Sequence, residues 1–87
     1  MYVNTFCDVN VNNNSMNDIK KQVGERLKLE RKSKGYTQAQ VASMMYMTQQ
    51  QYSRFENGLF ELSYAQLVFL AQLYEVSLDY IFGLTKF

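Results

Sequence analysis

The stretch Thr37 to Gly58, TQAQVASMMYMTQQQYSRFENG, restricts what this chain can fold into more than any other. It has room for two short helices and a tight turn between them. Thr37 followed three residues later by Gln40 is a capping box, in which hydroxyl and amide each take up a backbone N–H left unpaired at a helix start. Val41, Ala42 and Met45 then share the inner face of that helix. Ala42 is small where a second helix must cross closely, and is equally a plain helix former. Tyr46-Met47 leads to Thr48, the next N-cap. A second helix is predicted over Gln49 to Glu56. Asn57-Gly58 closes it, glycine supplying the left-handed residue.

Projected at about 100° per residue, the second helix separates into two faces. Tyr52 and Phe55 point into a core. Gln49, Gln50, Ser53, Arg54 and Asn57 gather on the opposite side, with Gln51 and Glu56 flanking the boundary. A polar outer face is most often just solvated. Here its chemistry is narrower than solvation requires: amides, a hydroxyl and a guanidinium, with no outward carboxylate. Such groups can bond bidentately to base edges, Gln to adenine and Arg to guanine.

The flanking sequence supplies partners for the inner face. A long helix is predicted from an N-cap at Asn17 or Asp18 to Lys34, with Ile19, Val23 and Leu27 four apart on one face and Gly35 ending it. Glu30 is spaced to pair with Arg26 and Lys34, and Leu29 falls off the apolar stripe. After a loop from Leu59 to Leu62, Ser63 caps a helix over Tyr64 to Tyr74, with Leu67, Leu70, Ala71 and Tyr74 on one stripe. Ser77 caps a short fifth helix holding Leu78, Ile81 and Phe82, and Gly83 ends it. Phe82, Leu84 and Phe87 exceed what so small a core needs. They are candidates for a dimer seam, with core filling as the alternative. Residues 1–15, MYVNTFCDVNVNNNS, carry a weak strand signal and then an Asn-rich turn. The expected division is therefore 1–15, an N-terminal arm that can form a dimer-exchanged strand, and 16–87, a helical domain. Met16 is an alternative start.

Charge and composition decide between function classes. The net charge is +1, but residues 20–54 carry eight bases against two acids, a local +6, while the segments before and after are acidic. A basic front half suits a polyanion partner; by itself it also fits a solvated helix face. With no histidine and only Cys7, neither a zinc set nor the commonest general base is available. No nucleophile–base constellation, phosphate-cradling glycine loop or carboxylate pair stands out. An enzyme is not expected, nor a cofactor, metal or small-molecule ligand. No apolar run is long enough for a membrane span, which favours a cytoplasmic protein.

The string Gly35, Tyr36-Thr37-Gln38, Val41-Ala42, Thr48, Arg54, Glu56-Asn57-Gly58, Leu67, Leu70-Ala71, Val76-Ser77-Leu78-Asp79 is similar to the lambda-repressor-like (Cro/repressor-type, XRE) helix-turn-helix DNA-binding family. The likeness covers about residues 19–84 and rests on the spacing of the whole string. Thr48-Gln49-Gln50 with Glu56-Asn57-Gly58 looks particularly like the recognition helix of lambdoid phage repressors. The resemblance implies an all-α, compact five-helix domain with helix 49–56 in the major groove. It implies a bacterial or phage-encoded, repressor-like transcriptional regulator binding a two-fold operator in double-stranded DNA as a homodimer. It assigns base reading to Gln49, Gln50, Gln51, Ser53 and Arg54, and phosphate binding to Thr37, Gln38, Thr48 and Asn57. Gln38 would also prop the recognition helix, and Arg31 and Glu56 would form a structural ion pair. An antitoxin-type or other protein-interaction module on the same fold is the alternative. Three positions depart from the family pattern: Tyr46 stands where the turn usually has Gly, Glu30 where an apolar residue is common, and Leu62 where Pro is frequent. Tyr46 would be strained by about 1 kcal/mol if its turn stays left-handed.

Overall fold

The computed structural model describes residues 15–85 and consists there of five helices: α1 (Ser15–Ser33), α2 (Gln38–Met44), α3 (Gln49–Glu56), α4 (Tyr64–Tyr74) and α5 (Leu78–Phe82). The expected all-α fold is present. The arm expected over residues 1–15 lies, but for Ser15, outside the described residues, as do the last two positions, including Phe87. Ser15 belongs to α1, which starts two residues before the predicted cap and stops one residue short of Lys34.

Hydroxyl caps start the four later helices. Thr37, Thr48, Ser63 and Ser77 each accept a hydrogen bond from the backbone N–H three residues on, and the first three are closed capping boxes with Gln40, Gln51 and Gln66. The helix ends share one pattern too. Past each helix a left-handed residue turns the chain, and the next residue's N–H reaches five back to a helical carbonyl: Tyr36 to Arg31, Met47 to Ala42, Leu59 to Arg54, Val76 to Ala71 and Leu84 to Asp79. Glycine fills that left-handed position at 35, 58 and 83, but Tyr46 (φ 57°) and Glu75 (φ 59°) fill the other two. Tyr46 therefore keeps the left-handed turn despite its Cβ, at about 1–2 kcal/mol.

The core is built from the predicted stripes. Val23, Leu27, Val41, Ala42, Tyr52, Phe55, Leu67, Leu70, Ala71, Tyr74 and Ile81 are buried together. Ile19 departs from expectation. It is 38% exposed because it borders a surface hollow with Phe60, Tyr64 and Phe82. Glu30 has a definite partner: Tyr80 on α5 donates its hydroxyl to Oε2 at 3.0 Å. A polar contact thus joins α1 to α5 where an apolar one was expected.

Two features seat α3. Gly24, in the middle of α1, is buried, and a Cβ there would lie 2.7 Å from the Phe55 carbonyl oxygen. The backbones of α1 and α3 meet directly at this point. Beneath α3, the Tyr52 and Tyr74 hydroxyls share a hydrogen bond of 2.8 Å in a fully buried setting. Burial, with this bond, pushes the Tyr52 hydroxyl above its ordinary range; burial likewise raises Tyr74, to about 12.

Gly24→Ala will destabilise the protein by about 1–3 kcal/mol, because overpacking at the crossing outweighs the gain of about 1 kcal/mol in helix propensity. Urea unfolding measures it, and an unchanged or raised midpoint would refute the close crossing. The tyrosine pair predicts alkaline lability. Its hydroxyls titrate near pH 10 when unfolded and higher when folded, so stability is full below pH 10. It falls above that at up to about 1.4 kcal/mol per pH unit for each tyrosine. Phenolate absorbance should show part of the seven tyrosines ionising only as helicity is lost; complete ionisation near pH 10 with helicity intact would contradict the buried pair.

Candidate functional site

α3 presents its polar residues on one open face because its opposite face is consumed. Tyr52, Phe55 and Glu56 are buried, whereas Gln49, Gln50, Gln51, Arg54 and Asn57 are exposed and Ser53 is half-buried. Eight residues give α3 a length of about 12 Å, comparable to the width of a B-DNA major groove, about 12 Å. The face holds no carboxylate, since Glu56, the one acid of α3, is 3% exposed.

Glu56 anchors a chain of hydrogen bonds leading from the core to that face. Arg31 of α1 grips its carboxylate with two guanidinium nitrogens, Nε to Oε2 at 2.7 Å and Nη2 to Oε1 at 3.2 Å. Arg31 Nη1 also donates to the Tyr36 carbonyl at 2.9 Å, securing the link into α2. The bond to Glu56 raises the Arg31 pKa above its ordinary value, so the guanidinium stays charged although buried. Gln38, at the first position of α2, donates Nε2 to Glu56 Oε1 at 3.0 Å and accepts from Gln49 Nε2 at 3.3 Å. Helices α1, α2 and α3 are thus tied by one network, Arg31–Glu56–Gln38–Gln49.

The remaining expected site residues fall into two groups. Several are already engaged. Gln51 gives its amide oxygen to the Thr48 N–H at 2.9 Å, while the Thr48 hydroxyl accepts from the Gln51 N–H at 3.1 Å. Thr37 is held the same way by Gln40. Asn57 donates to the Ser53 hydroxyl at 3.4 Å. Gln50 and Arg54 are different. Among the described residues no hydrogen bond holds the Gln50 amide, and the Arg54 guanidinium lies over the Phe60 ring, 5.6 Å from its centroid. Both keep their hydrogen-bonding edges open. Phe82 and Leu84, the described members of the expected dimer seam, are half-buried at the end of α5.

Gln38, which the resemblance gives as a prop for the helix, makes its contact through the buried Glu56. One contributor was not legible beforehand: Phe60 contacts Arg54. Phe60 is 51% exposed in the loop after α3. Its only advance signal is a large apolar residue six positions past an exposed arginine.

Among the described residues no group of acidic or thiol side chains could hold a metal ion, and no helix is long and apolar enough to cross a membrane. A family model described as helix-turn-helix matches residues 27–81. That span runs from the middle of α1 into α5 and takes in the whole hydrogen-bond network. Neither the curated proteins nor the solved structures compared with the chain give a match.

Removing Glu56 strands a buried guanidinium. Glu56→Ala should therefore cost about 3–5 kcal/mol, and pairing it with Arg31→Met should recover much of that loss. Chemical denaturation of the two single variants and the double variant tests this. Additive losses would show that the two residues do not act as a pair.

Proposed function

The chain belongs to the lambda-repressor-like (XRE-type) helix-turn-helix family of DNA-binding transcription regulators, and from that premise we propose that it is a sequence-specific, repressor-like regulator that binds a two-fold operator as a homodimer. The observation that carries this reading is the open face of α3, where the hydrogen-bonding edges of Gln50 and Arg54 are unoccupied while the other outward side chains are hydrogen-bonded within the protein. In the proposed complex, α3 enters the major groove. Gln50 and Arg54 read base edges and Ser53 reads a base or holds a phosphate. Gln49 and Gln51 approach the bases through the amide groups their intramolecular bonds leave over. Thr37, Gln38, Thr48 and Asn57 meet the DNA backbone, where short polar groups and helix N-termini commonly bind phosphate. Lys32 and Lys34, both exposed, strengthen the attraction.

Residues 16–87 are proposed as the DNA-binding unit, and Phe82, Leu84 and Phe87 as contributors to the dimer contact. A homodimer would place two recognition helices roughly 34 Å apart, one helical turn of DNA. Selection of bound sequences from a random duplex pool tests DNA binding, half-site symmetry and spacing together. An enriched site lacking two-fold symmetry would overturn the homodimer. A complex with another protein, indifferent to salt, in place of DNA binding that weakens steeply with salt, would favour a protein-interaction module instead.

Replacing Gln50 or Arg54 by Ala should each lower affinity for the selected site by about 1–3 kcal/mol and relax the preference at one base pair. Titration on selected and random duplexes checks this. Equal losses on both would remove these residues from base reading.

A further inference from the structure

Arg54 is the one cation of α3, and its side chain does not hang freely in solvent. Its guanidinium carbon lies 5.6 Å from the centroid of the Phe60 ring, within the range at which a cation is attracted to an aromatic face. Phe60 is placed by the turn that ends α3. Gly58, at φ +74°, reverses the chain, and the Leu59 N–H bonds back to the Arg54 carbonyl at 2.9 Å. The ring is therefore set beside the residue it contacts by backbone geometry. It also lines a surface hollow of about 280 Å³, whose walls include Ile19, Leu62, Tyr64 and Phe82, while about half of its surface stays exposed.

We propose that Phe60 is a positioning residue for Arg54, holding the guanidinium by its face so that its hydrogen-bonding edge is presented to DNA. This rests on the base-reading role proposed above for Arg54. A guanidinium is planar, with its N–H donors along the edge and its π surface on the faces. An aromatic ring on a face leaves the fork available for bidentate contact with guanine or phosphate. A free arginine side chain loses rotamer entropy when it is ordered. Part of that loss is met before binding if the ring already restricts the side chain.

The test uses the full chain with Phe60→Leu, which keeps apolar bulk without a ring, and Phe60→Tyr, which keeps the ring. Both are combined with Arg54→Ala. Affinity is measured on the site the wild type selects and on that site altered at the base pair whose preference Arg54→Ala relaxes. Phe60→Leu should weaken binding to the selected site roughly two- to five-fold, the exposed-site cation–π contribution expressed as a ratio, and reduce discrimination between the two duplexes. Phe60→Tyr should retain both, and Phe60→Leu should have no further effect in the Arg54→Ala background. A DNA-free measurement stands beside it. Ring-current shifts of the Arg54 δ-protons should be present in the wild type and Phe60→Tyr, and absent in Phe60→Leu. Equal losses from Phe60→Leu with and without Arg54, or no loss where Arg54→Ala does lose affinity, would overturn the positioning role. If Arg54→Ala leaves affinity unchanged while the ring-current shifts are intact, the base-reading premise has failed and the positioning role falls with it. If the shifts themselves are absent from the wild type, the contact is what fails.

Discussion

The structure depends on a carboxylate placed where water cannot reach it. Glu56 ends α3 facing inward, and a charge in that setting is tolerated only when paired and hydrogen-bonded. Arg31 satisfies both oxygens, Gln38 adds a third bond, and Arg31 reaches on to the Tyr36 carbonyl. Each contact constrains a different element: α1 supplies the guanidinium, the α1–α2 link supplies the carbonyl, and α2 supplies the amide. The orientation of α3 is thereby set by directional bonds as well as by the packing of Tyr52 and Phe55. Apolar contacts alone tolerate small rotations of a helix about its axis, whereas a bidentate arginine–carboxylate pair does not.

Local chemistry fixes where the helices start, and that part of the fold could be read in advance. Serine and threonine caps with glutamine three residues on have a defined hydrogen-bond geometry, so Thr37, Thr48 and Ser63 announce their helices without knowledge of the rest of the chain. The inner stripes of α2 to α4 follow from helical periodicity in the same way. Tyr46 stands where left-handed geometry meets a Cβ, and the turn keeps that geometry. Glu75 adopts the same conformation without any sign in the sequence, because glycine is the usual marker and here it is missing.

What escaped the sequence depends on which element crosses which. An isolated Gly24 in a helix is compatible with many neighbours, and only the approach of the Phe55 and Glu56 carbonyls shows why a side chain is excluded. Ile19 continues the apolar spacing of Val23 and Leu27, yet periodicity cannot say where the neighbouring elements end. The partnership of Arg54 with Phe60 spans a turn whose path is set by Gly58, so the two residue types suggest nothing until the chain folds back. The outer face of α3 was legible as a set of residue types, but its division into engaged and open side chains was not.

That division limits how much of a target sequence the face can be retuned to specify. Gln51 closes a capping box and Gln49 is bonded to Gln38, so changing either disturbs the helix or its support. Gln50 and Arg54 carry no such bonds, and Ser53 is engaged by the exposed Asn57 amide without a part in the cap or the support of the helix. These three span about 6 Å of helix axis, near the rise of two base pairs at 3.4 Å each. Under the proposed docking, the information that can drift independently of the fold amounts to about two adjacent base pairs per recognition helix. Wider divergence between targets would have to come from half-site spacing, DNA deformability or a redesigned cap.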